Sequence, residues 1–161
     1  MIGYLVIYGS LLIGMVLSVM QIPASVPAEL GFTRPDWVAL VILYWVIALP
    51  HRVSLVTVWL VGLIMDVLLG GLIGQHAFCY VIITYITANL YQRLRMFSVW
   101  QQAAVIFAIL GINHIVGFWV ESIAGLSEWS LWFLLPALTG ALLWPWMFLL
   151  LRSLRRRFIA A

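Results

Sequence analysis

The chain has 161 residues, of which 66% are hydrophobic and 8% are charged, and its formal net charge is +3. Soluble domains are about 45–50% apolar and about 25% charged, so this composition excludes a water-soluble globular protein and predicts an integral membrane protein. The single cysteine, Cys79, excludes an internal disulfide and a cysteine-based metal cluster. We expect it to be a small apolar residue within a membrane span.

Six apolar stretches predict an all-α bundle of six transmembrane helices in a single domain. The predicted spans are residues 4–22, 37–50, 53–69, 77–91, 102–123 and 131–151, and a basic tail follows at 152–161. The second span is short for a hydrocarbon core of about 30 Å. We expect it to cross where the bilayer is locally thinned or to lie sheltered against neighbouring helices.

The second and third spans are separated by Pro50-His51-Arg52. Proline disfavours helical geometry at the residue before it and removes a hydrogen-bond donor. An arginine in the middle of a bilayer is costly. The sequence therefore predicts a tight turn at the membrane surface rather than one overlong helix.

The basic residues are all arginines, and they are unevenly distributed. With six spans, seven of the eight fall on the side that carries both termini, and only Arg34 falls on the other side. This asymmetry predicts that both termini are cytoplasmic. The basic tail is interpreted as a topology signal with some attraction to anionic headgroups, and not as a nucleic-acid site. Glu29, Asp36 and Glu128 are expected to face outward.

Small residues recur in the first span. Ser10, Gly14 and Ser18 have four-residue spacing and therefore lie on one face of a helix. Such a stripe predicts a packing face, either for the chain's own bundle or for the helix of a partner.

A carboxylate interrupts the third span. Gly62, Asp66 and Gly70 recur every four residues, which predicts a common helix face, and the glycines would let another helix approach closely. A carboxylate inside a span is a functional candidate. The alternative is structural, because Asp66 is about one turn from the span end and would either reach the membrane interface or cap a broken helix end.

Polar residues of the fifth span share one face. Asn113, His114, Gly117 and Glu121 are separated by spacings of three and four. His114, Glu121 and Asp66 would therefore either meet in an outward-opening polar pocket or form a polar seam between helices. The sequence leaves both interpretations open.

The sixth span contains LLWPWMF at 142–148. Pro145 is expected to bend this helix, and Trp144 and Trp146 are expected to fill a helix–helix contact. No metalloprotease, nucleophile-elbow or phosphate-loop motif occurs in the sequence. We therefore predict no catalytic residue, no metal and no cofactor.

Five segments together resemble the MreD family, the rod shape-determining membrane proteins of proteobacteria. They are RPDWVALVILYWVIALPHRV at 34–53, GLIMDVLLGG at 62–71, VWQQA at 99–103, FWVES at 118–122 and LLWPWMFLLLR at 142–152. The likeness covers about residues 32–158, which is most of the chain.

The resemblance implies a protein of the bacterial inner membrane that is not an enzyme and that belongs to the machinery building the lateral peptidoglycan wall. The implied partner is MreC, through its transmembrane helix and membrane-proximal region. The same assembly would include MreB, RodA, its class B penicillin-binding protein and RodZ. The implied fold is similar to the substrate-binding component of energy-coupling-factor transporters, a six-helix bundle with an outward-facing pocket.

The leading hypothesis is a non-catalytic scaffold that binds MreC. Contacts are expected at the small-residue faces, at the charged and aromatic residues that flank the second span, and at the tryptophan-rich sixth span. These candidates are Ser10, Gly14, Ser18, Arg34, Asp36, Trp37, Arg52, Gly62, Gly70, Trp144 and Pro145. Two alternatives use Asp66, His114 and Glu121 instead: a small-molecule binding or transport protein, and an intramembrane acid–base enzyme.

Overall fold

The structure is a computed structural model that describes residues 1–20, 25, 27–128 and 130–159. These residues contain six α-helices and no β-strand, so the all-helical prediction is confirmed. The helices are α1 Ile2–Val19, α2 Trp37–Ala48, α3 Leu55–Leu69, α4 Gln75–Met96, α5 Val99–Ile123 and α6 Leu135–Phe158. Short 3-10 helices precede α2, α3 and α6, at Ala28–Thr33, Pro50–Arg52 and Leu131–Leu134.

Each predicted span overlaps one of these helices, but several bounds differ. α4 continues to Met96 and α6 to Phe158, beyond the predicted ends at 91 and 151. The reason is that both helices extend past their apolar part into a polar last turn, which hydropathy does not mark as helical. The predicted end of the first span at Ile22 lies outside the described residues. In length and composition, α1, α5 and the segment Leu131–Phe158 are long and apolar enough to cross a membrane.

The centre of the bundle is α2. Every residue from Val38 to Ala48 is buried, and the helix packs against α1, α4 and α6. A helix that is buried on all sides has apolar residues all around it, which explains the unbroken apolar run of the sequence. Of the two expectations for this short span, the structure matches the helix sheltered by its neighbours.

Successive helices run in opposite directions and define two ends of the bundle. Asp36, at the start of α2, contacts Tyr80 on α4 and Asn113 on α5. Arg95, near the end of α4, contacts the carbonyl of Ala48 at the end of α2. We call the end that holds Asp36, Asp66 and Glu121 the acidic end. The opposite end, which also holds Arg52, Arg152 and Arg155, is the basic end.

The outer surface of the bundle is strongly apolar. Large hydrophobic side chains are exposed on every helix except α2, among them Leu5, Val67, Phe78, Trp119 and Trp146. Contiguous exposed apolar surface of this extent marks a surface that faces lipid or a partner. Trp146 is 73% exposed, so the expectation that it fills a helix–helix contact is wrong: its position on α6 points away from the neighbouring helices.

Candidate functional site

Asp66 organises the turn between α3 and α4. It is 1% exposed. Its Oδ2 accepts a hydrogen bond from the backbone N–H of Gly74 at 2.7 Å, and its Oδ1 accepts one from that of His76 at 2.9 Å. Oδ1 also lies 2.8 Å from Nδ1 of the His76 ring. Because the first N–H groups of a helix have no partner within it, Asp66 caps α4. This geometry matches the structural interpretation that the sequence left open.

Gly62 and Gly70 do not lie on a common helix face. α3 ends at Leu69, and Gly70 follows it in the left-handed conformation, with φ of 67°. Gly70 therefore lies off the face that the spacing predicted. A Cβ atom at Gly62 would overlap the backbone of Ala77 on α4. Gly62 thus allows close packing of α3 against α4 of the same chain.

A polar cavity of ≈ 240 Å³ opens at the acidic end, between α2, α4, α5 and the start of α6. We call it the acidic-end cavity. Its polar lining residues are Asp36, Gln75, His76, Asn113, His114 and Glu121. The structure therefore brings His114 and Glu121 to the wall of one cavity. Asp66 is not among the lining residues, and His76 lies between it and the cavity as its hydrogen-bonded neighbour.

Asp36 is the most connected polar residue of this cavity. It is the N-cap of α2, and its Oδ1 accepts hydrogen bonds from the backbone N–H of Ala39 at 3.1 Å and from the hydroxyl of Tyr80 at 3.0 Å. Its Oδ2 accepts one from the Asn113 amide at 3.4 Å. Asp36, which the sequence predicted to mark the end of a short span and to contact a partner, thus joins α2, α4 and α5 within the chain.

Two polar atoms of the acidic-end cavity have no hydrogen-bond partner among the described residues. They are Oδ1 of Asn113 and Nε2 of His114, and both atoms are buried. Buried polar atoms are nearly always hydrogen-bonded in proteins. The pair therefore indicates space for water or for a small polar ligand. The neighbouring Glu121 is engaged, because the amide of Gln75 donates a hydrogen bond to it at 2.8 Å.

The small-residue stripe of α1 faces α2. The Ser10 hydroxyl donates to the carbonyl of Ile7 at 2.8 Å and accepts from Nε1 of Trp45 at 2.8 Å. A Cβ at Gly14 would lie 3.5 Å from the carbonyl oxygen of Trp37. Ser10 and Gly14 therefore serve packing within the chain, which is one of the two roles that the sequence allowed. The Ser18 hydroxyl is buried and has no partner in the described part of the chain.

The arginines that flank the second span connect α2 to α1. The Arg34 guanidinium donates hydrogen bonds to the carbonyls of Leu17, at 3.0 Å, and Met20. It thereby satisfies carbonyls at the end of α1 that have no partner within the helix. At the other end, the Arg52 guanidinium lies 5.5 Å from the centre of the Tyr4 ring. Both arginines therefore hold α1 alongside α2.

Trp144 lies where α6 meets α5. Trp144 is fully buried, as expected, and its Nε1 donates to Oε1 of Gln102 at 3.3 Å. The Gln102 amide in turn donates to the carbonyl of Leu94 at 2.8 Å. Pro145 lies within α6, which is a single helix through this position.

The sequence interpretation missed His76, Gln75 and Tyr80 as members of the acidic end. A local signal exists for His76, because the glycine-rich turn that follows Asp66 ends two residues before it. No local signal identifies Tyr80, which reaches Asp36 over 44 residues of sequence separation.

The fold and these sites define an all-α protein with an apolar exterior, a buried central helix and a polar cavity at one end. A family model described as rod shape-determining protein MreD matches residues 1–154. The chain is also 38% identical over 133 residues to the Rod shape-determining protein MreD of Haemophilus influenzae, over 81% of this chain and 82% of that protein. No solved structure gives a significant match.

The chain therefore belongs to the MreD family, and the resemblance noted in the sequence is confirmed. Family membership supports a role in determining rod shape. The family and the three long apolar helices together indicate a membrane protein. The likeness to the substrate-binding component of energy-coupling-factor transporters stays a prediction.

Proposed function

We propose that this protein is a non-catalytic scaffold of the bacterial cell-elongation complex, which crosses the inner membrane six times and binds MreC. Membership of the MreD family is the observation that carries the proposal. The remaining parts of the proposal rest on what that family implies. They are the binding of MreC, a role in lateral peptidoglycan synthesis, and membership of an assembly with RodA, its class B penicillin-binding protein, RodZ and MreB.

The six-span topology is supported by the direction and charge of the helices. The helices alternate in direction, and arginines are concentrated at the basic end. With that end in the cytoplasm, the charge distribution follows the positive-inside rule. α2 is short, but its neighbours cover it on every side, so it needs little contact with lipid.

Within this proposal, the transmembrane helix of MreC docks between α1 and α3. An apolar groove of ≈ 430 Å³ lies there, lined by Leu12, Met15, Val16, Val19, Met20 and Leu68. Three of the candidates for partner contacts, Ser10, Gly14 and Gly62, instead pack against other helices of the same chain. The outer faces of the same two helices remain available, and packing of apolar side chains is what joins helices in lipid.

The test is a pull-down of tagged protein from native membranes in mild detergent, with every co-purifying chain identified. The expected result is near-stoichiometric MreC. A Val16→Trp variant fills the groove and should reduce MreC recovery, whereas Ile13→Trp, exposed elsewhere on α1, should not. Recovery of the protein alone would overturn the proposal.

Small-molecule binding in the acidic-end cavity is the second candidate function. The unpartnered atoms of Asn113 and His114 favour it. Native mass spectrometry of the purified protein would detect a ligand retained at one per chain. Its loss in an Asn113→Leu variant, with retention in a variant at exposed Glu128, would support this function. An acid–base enzyme is less favoured, because Asp66 is committed to the cap of α4.

A further inference from the structure

A second cavity opens at the basic end, and nothing proposed above uses it. Its volume is ≈ 400 Å³, which is within the usual range of about 300–1,000 Å³ for ligand pockets. It lies between the end of α2, the end of α4, the start of α5 and the last turns of α6. Its polar and aromatic lining consists of Tyr44, Arg95, Gln102, Phe148, Arg152 and Arg155. Among the described residues, no carboxylate lines it. We call it the basic-end cavity.

Arg95 removes the main obstacle to an anion at this place. α2 ends in the cavity wall, and the carbonyl end of a helix carries a partial negative charge. Nε of Arg95 donates to the carbonyl of Ile47 at 2.7 Å, and its Nη2 donates to that of Ala48 at 2.7 Å. The negative end of α2 is thereby neutralised, and the other arginines of the cavity are not needed for that purpose.

Arg152 and Arg155 are the cations that remain. They are three residues apart on α6, so they lie on one helix face, and both are partly buried. The guanidinium of Arg152 lies 6.0 Å from the centre of the Phe148 ring. Within the described residues, neither arginine forms an ion pair with a carboxylate. Two cations are therefore held side by side, without a counter-ion, at the edge of an apolar bundle.

The hydroxyl of Tyr44 supplies the second, independent observation. Tyr44 is 2% exposed and lines the cavity, and its hydroxyl has no hydrogen-bond partner in the described chain. Gln102 does not satisfy it, because both ends of that amide are engaged, with Trp144 and with the carbonyl of Leu94. A buried hydroxyl without a partner is unusual. The free groups of the cavity are thus a hydroxyl and two guanidinium groups.

We propose that the basic-end cavity binds the phosphate group of an anionic ligand, and that a phospholipid headgroup supplies it. The planar guanidinium fork matches phosphate oxygens, and the Tyr44 hydroxyl adds a hydrogen-bond donor. The Phe148 ring provides an apolar surface for the rest of the ligand. The position at the end of apolar helices favours a lipid as the source, since headgroups lie at that level. This inference goes beyond the scaffold function and does not depend on MreC binding.

The experiment measures lipid retention by the full chain, delipidated in neutral detergent and then incubated with phosphatidylglycerol or phosphatidylcholine. Native mass spectrometry counts bound lipid. The expected result is one phosphatidylglycerol per chain, with at least tenfold weaker retention of phosphatidylcholine. A parallel titration with inorganic phosphate and with soluble glycerol phosphate separates the two sources of phosphate.

The double variant R152Q/R155Q should lose retention of phosphatidylglycerol at least tenfold. The matched control R156Q/R157Q changes the same number of charges on the same helix, at exposed positions outside the cavity, and should retain it. Tyr44→Phe removes the hydroxyl alone and should weaken retention several-fold. Because this variant keeps all charges, it remains informative if the double variant does not fold.

Four outcomes would overturn the proposal in part or in full. Equal retention of both lipids would show that the headgroup is not recognised. Equal loss in R152Q/R155Q and R156Q/R157Q would show only general attraction of anionic lipid to a basic surface. If Tyr44→Phe and R152Q/R155Q, tested separately, both retained phosphatidylglycerol as the unchanged protein does, the basic-end cavity would be excluded as the lipid site. Binding of soluble phosphates with no retained lipid would keep the phosphate site and exclude the lipid source.

Discussion

Oδ1 of Asp66 and Nδ1 of His76 lie 2.8 Å apart across the turn that joins α3 to α4. The carboxylate is completely buried, whereas the imidazole is partly exposed and lines the acidic-end cavity. This pair therefore connects a structural cap to the polar cavity. It also explains how a carboxylate is accommodated in an apolar segment, since the carboxylate accepts hydrogen bonds from two backbone N–H groups as well.

An Asp66→Asn substitution should destabilise the protein by about 1–3 kcal/mol, because one acceptor oxygen is replaced by a donor that faces backbone N–H groups. The measurement is the thermal unfolding midpoint in detergent. Glu128→Gln is the matched control, since Glu128 is exposed in the loop before α6. Unchanged stability of Asp66→Asn would contradict the capping role.

A Gly62→Ala substitution should also be destabilising, by about 1–3 kcal/mol, because overpacking forces the backbones of α3 and α4 apart. Gly9→Ala is the control: apart from its chain neighbours and the backbone of its own helical turn, no atom of the described residues lies within 4 Å of the added methyl group. This control should be neutral or slightly stabilising, because alanine is the better helix former. Equal unfolding midpoints of the two variants would show that α3 and α4 pack less closely than described.

A Ser10→Ala substitution should leave the buried indole N–H of Trp45 without an acceptor, at a cost of about 1–3 kcal/mol. Proteolysis should then detect easier detachment of α1 from α2. Ser153→Ala is the control, because the Ser153 hydroxyl bonds only within its own exposed helical turn. If the Ser10 hydroxyl served only its own helical turn, Ser10→Ala and Ser153→Ala would have the same small effect on stability, and this result would contradict the prediction.

The two ends of the bundle should differ in their access from outside the cell. In a Cys79→Ala background, Leu126→Cys at the acidic end should react with a membrane-impermeable maleimide in intact cells. Ser153→Cys at the basic end should react only after permeabilisation. Both positions are exposed, so accessibility within the protein does not limit labelling. The opposite pattern would reverse the proposed orientation.

The helices of this protein could be predicted from sequence wherever local signals mark their ends. α2 is bounded by Asp36, which caps its first turn, and by Pro50, which cannot continue it, so the predicted span is close to the helix. The predicted end of α4, at residue 91, lies before the end in the structure, because the last residues of the helix include Arg93 and Arg95 and are no longer apolar. Hydropathy reports the apolar surface of a helix rather than its length.

The acidic-end cavity was only partly predictable. The spacing of Asn113, His114 and Glu121 placed them on one face of α5, since that relation is local. The contribution of Asp36 depends on how α2 packs between α4 and α5, which no spacing within one helix reveals. For Asp66, the local spacing was misleading. Its four-residue spacing with Gly70 suggested a common helix face, but α3 ends at Leu69, before Gly70.

The complete burial of α2 has a consequence for biogenesis. At 1.5 Å per residue, its 12 residues cover only about 18 Å, so α2 alone in a bilayer would draw Asp36 and Arg52 toward the hydrocarbon. The helices that enclose it include α4 and α6, which are synthesised later. A nascent chain that stops before α6 therefore leaves one flank of α2 uncovered, and release of α2 into lipid should await the synthesis of α6.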